Sequence, residues 1–239
     1  MSLLTSDAAQ TRASDTALKT AHSIDAHFTR RGTGLEFEME AQWVRRHLPP
    51  QAKRIVDVGC GNGALFEAIG AGRALGIDSC VEGLRLTSRR FSTVPLVAGD
   101  AEHLPLCDES LEVITLQHVV EHIPRFDLAC TQWHRALKPG GLLLILTPNA
   151  SFCDPSVFED PTHVRIFTCR ELRRSLERGR FEVIDLRSLG LPWFRDYHHM
   201  PWGWRWRRLV IFHAQRLSFL PGLRWKGQTL CCLARKPVA

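Results

Sequence analysis

Two short stretches of this 239-residue chain hold residue types whose spacing could do chemistry. The first is Val56-Asp57-Val58-Gly59-Cys60-Gly61-Asn62-Gly63-Ala64, where glycines alternate with small or polar residues after an apolar run. Glycine at such positions lets the backbone take positive φ and lets a ligand approach the main chain closely. A helix starting directly afterwards would offer free N–H groups and a positive dipole end to an anionic group. With Ala64 the loop also satisfies the relaxed G-x-G-x-x-G/A dinucleotide fingerprint. Asp78 stands about twenty residues further on, where a ribose-binding acid belongs.

The second stretch is His118-Val119-Val120-Glu121-His122, which fits the H-x-x-E-H pattern of one class of zinc peptidases. That chemistry needs both histidines one turn apart on a helix, a third ligand and an open position. Here the run continues an apolar strand, Leu111 to Gln117, and Pro124 follows closely. Alternation along a strand would place the two imidazoles poorly for sharing a metal, so no metal is expected. The better reading is a strand end beside a ligand crevice. His122 and His163, the latter in Asp160-Pro161-Thr162-His163, are the candidate general bases, because imidazole exchanges protons near neutral pH. For His122 the alternative is a capping or packing role.

These residues need a frame to position them. Glu36 to Pro50 has helical spacing and is stopped by Pro49-Pro50. Strand and helix then alternate. The apolar runs ending at Gly59, Asp78, Asp100, Gln117 and Asn149 read as five strands, separated by helical or loop segments. This alternation argues for a parallel, doubly wound α/β sheet covered on both faces. Asp57, Asp78 and Asp100 (with Ala101-Glu102 after it) then lie at or near the carboxyl ends of consecutive strands, where open α/β sheets bind ligands. Any one of the acids could be a solvated carboxylate. Three beside a glycine loop argue for a site.

The ordered set "VDVGCGNG", "GID", "GDAEHLPLCDESLEVI", "VVEHI" and "LKPGGLLLILTPN" resembles the class I S-adenosylmethionine-dependent methyltransferases, over about Arg54 to Asn149. It is most similar to the subgroup containing the ubiquinone-biosynthesis enzymes, which act on small or lipid-like acceptors. The resemblance implies S-adenosyl-L-methionine as cofactor and a seven-stranded Rossmann-like sheet, mostly parallel with one antiparallel strand. Residues 181–188 and 227–236 would supply strands six and seven. It further implies that Gly59, Gly61 and Gly63, with Cys60 and Asn62 between them, border the methionine part, and that Asp57 helps orient it. Asp78 would hold the ribose and Ser79 would sit beside the adenine. Asp100 and Ala101 would flank the adenine, next to Glu102, while Gln117 and His118 would lie under the sulfonium. Asp-Pro-Thr-His stretches like the one holding His163 are found in methyltransferases of bacterial glycan and lipid pathways.

Composition bounds the rest. The net charge is +6, but residues 187–239 carry ten Lys/Arg and one acid, leaving the remainder slightly acidic. Five of seven tryptophans fall in that basic part. Residues 193–225 have an apolar helical face (Trp206, Leu209, Val210, Leu217, Leu220) flanked by arginines, the pattern of an interfacial membrane contact or of a packed lid. A nucleic-acid partner fits the charge but has no recognised module behind it. No membrane-span-length apolar run or secretory leader is visible, so a cytoplasmic protein with reduced cysteines is expected. A polar tail, 1–35, would precede one domain, 36–239, with insertions at 150–169 and 190–226. Two other functions stay open: a nicotinamide-dependent oxidoreductase, and a non-catalytic methyltransferase-like binding module. The acceptor is expected to be a small or lipid-linked molecule, with the methyl going to oxygen or nitrogen.

Overall fold

The computed structural model describes residues 35–190 and 227–238. The expected tail and the Trp- and Arg-rich insertion therefore lie outside the described residues, apart from Leu35 and Gly190 at their edges. Helix α1 (Leu35–His47) opens the described chain. Glu36 and Glu38 in its first turn and Arg45, Arg46 and His47 in its last complement its dipole. Next come β1 (Ile55–Val58), a single turn α2 (Phe66–Ile69), β2 (Ala74–Asp78), α3 (Val81–Arg90), β3 (Leu96–Ala98) and β4 (Leu111–Gln117). The chain continues through α4 (Phe126–Ala136), β5 (Leu137–Pro148), a short α5 (Ser156–Glu159), α6 (Cys169–Arg178), β6 (Glu182–Leu189) and β7 (Thr229–Arg235).

The seven strands form one sheet in the order β3-β2-β1-β4-β5-β7-β6. β1 pairs in parallel with β2 and β4, and β4 with β5. β7 is inserted between β5 and β6 and runs antiparallel to both. A dinucleotide-binding sheet of order 3-2-1-4-5-6 has no such insertion, so the topology separates this chain from the oxidoreductase alternative. All four β1 residues are buried, as a strand covered on both faces requires. One apolar layer joins Trp43 and Val44 of α1 to Leu65 and Phe66; the other joins Phe126 and Trp133 of α4 to Leu172 and Leu176 of α6.

The helix after the glycine loop is short, a single turn, so it supplies little of the dipole that a long helix would. Lys138-Pro139-Gly140-Gly141, whose sequence reads as a helix stop, instead belongs to the start of β5, and α4 has already ended at Ala136. The segment 150–168 is mostly irregular, as expected. It is tied to the sheet by a bridge from Asn149 to Phe167 and enters α6 through a Thr168/Glu171 capping box.

Candidate active site

The site is built on the strand ends that meet at β1. Gly59, Gly61 and Gly63 all have positive φ, of 71°, 50° and 72°. Gly59 and Cys60 donate their N–H groups to the carbonyl of Ile77, which pins the loop over the end of β2. A Cβ on Gly59 would lie 2.3 Å from Cγ2 of Val119, so that glycine is required twice, for its φ and for its close approach to the β4 end. Gly63 is closed in by Phe66, Thr87 and Phe91; its role is packing beneath the loop.

Asp78 does more than wait for a ligand. One carboxylate oxygen accepts from the Gly61 N–H at 2.7 Å and the other from the Cys80 N–H at 2.8 Å. It therefore braces the loop and keeps its remaining lone pairs for hydroxyls. Asp57 is 3% exposed and accepts a 2.6 Å bond from the Thr115 hydroxyl. Burial raises its pKa to about 7 despite that bond, and neighbouring Asp78 adds to the rise. The residue sits behind the loop rather than along its open face. The Cys60 thiol is pushed far up by burial and by Asp57 and Asp78, which makes it an inert packing group.

Two clefts share Gly59. The first, about 200 Å³, is lined by Glu36, Glu40, the 59–62 loop, Gln117, His118 and Thr229, among others. The second, about 270 Å³, is lined by Asp78, Ser79, Asp100, Ala101, Glu102, Val119 and His122, among others. Apart from Asp57 and Gly63, which line neither cleft, the expected cofactor residues fall into two groups, one on each side of the glycine loop. Glu102 has a structural job as well: its carboxylate accepts from the backbone N–H of Arg125 and from the Arg125 Nε.

Beside the first cleft lies a charged row in which Glu40 and Glu121 are buried and His118 is 32% exposed. His118, at φ 53°, places Nε2 3.2 Å from both oxygens of Glu40, and Nδ1 3.5 Å from Glu121. Burial alone would lower the histidine's pKa, but the carboxylates of Glu40 and Glu121 raise it well above the ordinary value, and the ring is an imidazolium. Burial likewise pushes Glu40 up; the His118 charge and bonds from His118, Gln117 and Thr229 outweigh it and hold the carboxyl below its usual range. Glu36, on the same face one turn earlier, is raised, by burial first and then by Glu40. The Glu40 carboxylate and the His118 imidazolium largely offset each other's charge, and Glu36 adds a further carboxyl to the cleft wall.

His122 faces the second cleft. Its ring lies against that of His163, with centroids 4.7 Å apart. Each histidine places Nδ1 on a backbone carbonyl, Thr162 for His122 and Val157 for His163. A carbonyl only accepts, so in both rings Nδ1 carries the proton and Nε2 offers its lone pair. His163 is not among the described residues lining either cleft. The two candidate bases are thus brought together, and one of them meets the cleft. His118 turns away from His122 towards Glu40, so the two histidines of the H-x-x-E-H pattern do not act as a pair.

Sequence reasoning missed Glu36, Glu40, Glu121 and Thr229. A signal existed for the first two. Glu36 and Glu40 are four residues apart, and Glu40 lies between Met39 and Trp43, on a face otherwise buried. An acid on the apolar face of a helix asks for a partner.

Comparison with known proteins agrees with this geometry. Residues 56–145 match the methyltransferase domain family. A probable S-adenosylmethionine-dependent methyltransferase of Mycolicibacterium smegmatis is 30% identical over 158 residues, covering 61% of this chain and 62% of that protein. The ubiquinone biosynthesis O-methyltransferase of Agrobacterium fabrum is 31% identical over 148 residues, covering 59% and 56%. The chain therefore spans about six-tenths of the length of these relatives. The crystal structure of a SAM-dependent methyltransferase from Archaeoglobus fulgidus superposes with a TM-score of 0.62 at 20% identity, over 83% of this chain and 94% of that one, a likeness of fold. The fold and site define the class: a Rossmann-like α/β domain built round one glycine loop. In particular, residues 56–145 match a methyltransferase domain, and S-adenosylmethionine-dependent methyltransferases are what the chain is similar to.

Proposed function

We propose that the protein transfers a methyl group from S-adenosyl-L-methionine to an oxygen or nitrogen of a small, lipid-linked or sugar-linked acceptor. The observation that carries this reading is the division of one crevice at Gly59 into a cleft lined by carboxyls and an imidazolium and a second cleft at the ends of β2 and β3. The first side, with Glu36, Glu40 and His118, offers partners of both signs to the zwitterionic amino-acid end of such a cofactor. Asp78, Ser79, Asp100 and Ala101 fit its nucleoside end. When bound, the cofactor supplies a methyl group on a sulfonium, already a good leaving group.

The chain's own residues then have three tasks. Loop 59–63, braced by Asp78, fixes the donor; Gln117 and His118 close the first cleft from the end of β4. Orientation of this kind supplies up to roughly 7–11 kcal/mol of a displacement barrier. His122, its ring in contact with that of His163, takes the acceptor's proton as the new O–C or N–C bond forms. Such a base contributes about 10²–10⁴-fold. The relatives' names support a small-molecule acceptor, ubiquinone biosynthesis being the Agrobacterium protein's. Among the described residues no helix is long and apolar enough to cross a membrane. The basic, Trp-rich 193–225 segment is proposed to touch a membrane surface near a lipid-linked acceptor, from the cytoplasmic side.

Calorimetric titration with S-adenosylmethionine, S-adenosylhomocysteine and NAD tests the reading. Binding of the first two and not of NAD is expected. Binding of NAD alone would reinstate the oxidoreductase, and no binding at all would leave a non-catalytic module.

A further inference from the structure

Glu121, His122 and His163 each offer a ligand atom, and the three atoms lie within 4.8 Å of one another. They come from the turn after β4 and from the loop after β5, so tertiary structure and not local sequence brings them together. The loop is fixed to the turn through Glu121 itself, whose backbone carbonyl accepts from Val164 and Arg165 at 2.9 and 3.1 Å. Each donor already has an orienting partner. The Nδ1–H groups of His122 and His163 point at backbone carbonyls, which leaves Nε2 of each ring as the ligand atom. Glu121 accepts from the Thr147 hydroxyl at 2.9 Å and faces His118 on its other side. Imidazoles turned by backbone carbonyls and a carboxylate held by a hydroxyl are how proteins fix metal ligands. Asp160 adds a further oxygen: Oδ1 is held by the Thr162 N–H and hydroxyl, while Oδ2 lies 3.8 Å from Nε2 of His163.

We infer that Glu121, His122 and His163 form a binding site for one divalent transition-metal ion of the zinc type, with Asp160 or a water completing the shell. Two imidazoles and one carboxylate favour such an ion over magnesium or calcium, which take oxygen ligands. Ligands about 2 Å from a tetrahedral centre are roughly 3.3 Å apart, so the site closes by small side-chain movements. His122 also lines the second cleft. A cation here has one side towards the acceptor, polarises a coordinated hydroxyl and replaces the free imidazole as the means of making that oxygen nucleophilic. That consequence rests on the methyltransferase reading; the binding site does not.

The test uses tag-free full-length protein stripped with chelator and titrated with ZnCl₂ and, separately, with CoCl₂. One equivalent should bind, and Co²⁺ should give visible d–d bands of nitrogen and oxygen ligation without thiolate charge transfer. His122→Ala and His163→Ala should each weaken binding by roughly tenfold or more. S-adenosylhomocysteine affinity of His163→Ala should stay at the wild-type value, which shows that the variant is folded. No metal uptake by protein that still binds S-adenosylhomocysteine overturns the inference. So do thiolate bands, or uptake that both substitutions leave unchanged. Metal uptake without S-adenosylhomocysteine binding would instead sink the cofactor reading and leave the metal site standing.

Discussion

Asp57 gives the sharpest physical test of the site, because its burial has a cost that pH can switch. Its pKa rises from the ordinary 3.8 to about 7 on folding. Between those values the folded state keeps a proton that the unfolded chain has lost, so stability falls as pH rises. The contribution is fully present below the unfolded pKa and is gone above the folded one. Three units at about 1.36 kcal/mol each give on the order of 4 kcal/mol across the window. Asp57→Asn keeps an oxygen to accept the Thr115 hydroxyl, 2.6 Å away in the wild type, and removes the charge. Urea denaturation of both proteins from pH 4 to pH 8 should show the variant gaining stability relative to wild type, by up to about that amount. All other titrating groups are common to both, so the difference isolates Asp57. A second arm follows from the acid's place behind the loop. A cationic ligand favours the ionised form, so wild-type affinity for S-adenosylmethionine should rise towards pH 7 and the variant's should not. Parallel stability curves for the two proteins would refute the reasoning, whatever the affinities show.

Other substitutions probe separate links. Gly59→Ala meets both a positive φ and Val119 Cγ2 at 2.3 Å; a loss of roughly 2–5 kcal/mol is expected, with much weaker S-adenosylhomocysteine binding by calorimetry. Glu40→Ala removes the nearer carboxylate from a part-exposed imidazolium that keeps Glu121, and should cost about 1–3 kcal/mol in urea, while Glu40→Gln should cost less because it keeps acceptor and shape. Thr168→Ala deletes half of the capping box on α6, far from the clefts, and should cost about 1 kcal/mol without changing cofactor affinity.

The frame was legible because its signals are local. Five apolar runs, three of them ending in glycine or acid, each followed by a helix or a loop, force a parallel sheet, and the strand-end acids then fall on one edge. The glycine loop was legible for the same reason: three positions that need positive φ are three glycines. Local signals also misled. Pro139-Gly140-Gly141 reads as a helix stop, yet β4 pairs with Leu137 across a register shift and draws the segment into β5. Asp78 reads as a ligand acid and proves equally a brace for the loop, since the Gly61 N–H it accepts from is made available only by the loop's fold.

What the sequence could not show is the electrostatic character of the site, because its charges are set by residues far apart in the chain. Glu40 is reached by Gln117, 77 positions away, and by Thr229, 189 positions away. Neither pairing leaves a periodic trace. The H-x-x-E-H spacing is a case in point. As a local motif it joins His118 to His122, but the fold divides it: His118 goes to Glu40 on α1, and His122 goes to His163 on the loop after β5. Glu121 sits between, with His118 on one side and the His122–His163 pair on the other. The motif is thus a junction between the two clefts, and only its Glu121-His122 half meets His163. A change at Glu121 should be felt in both, whereas changes at Glu40 and at His163 should each be felt in one.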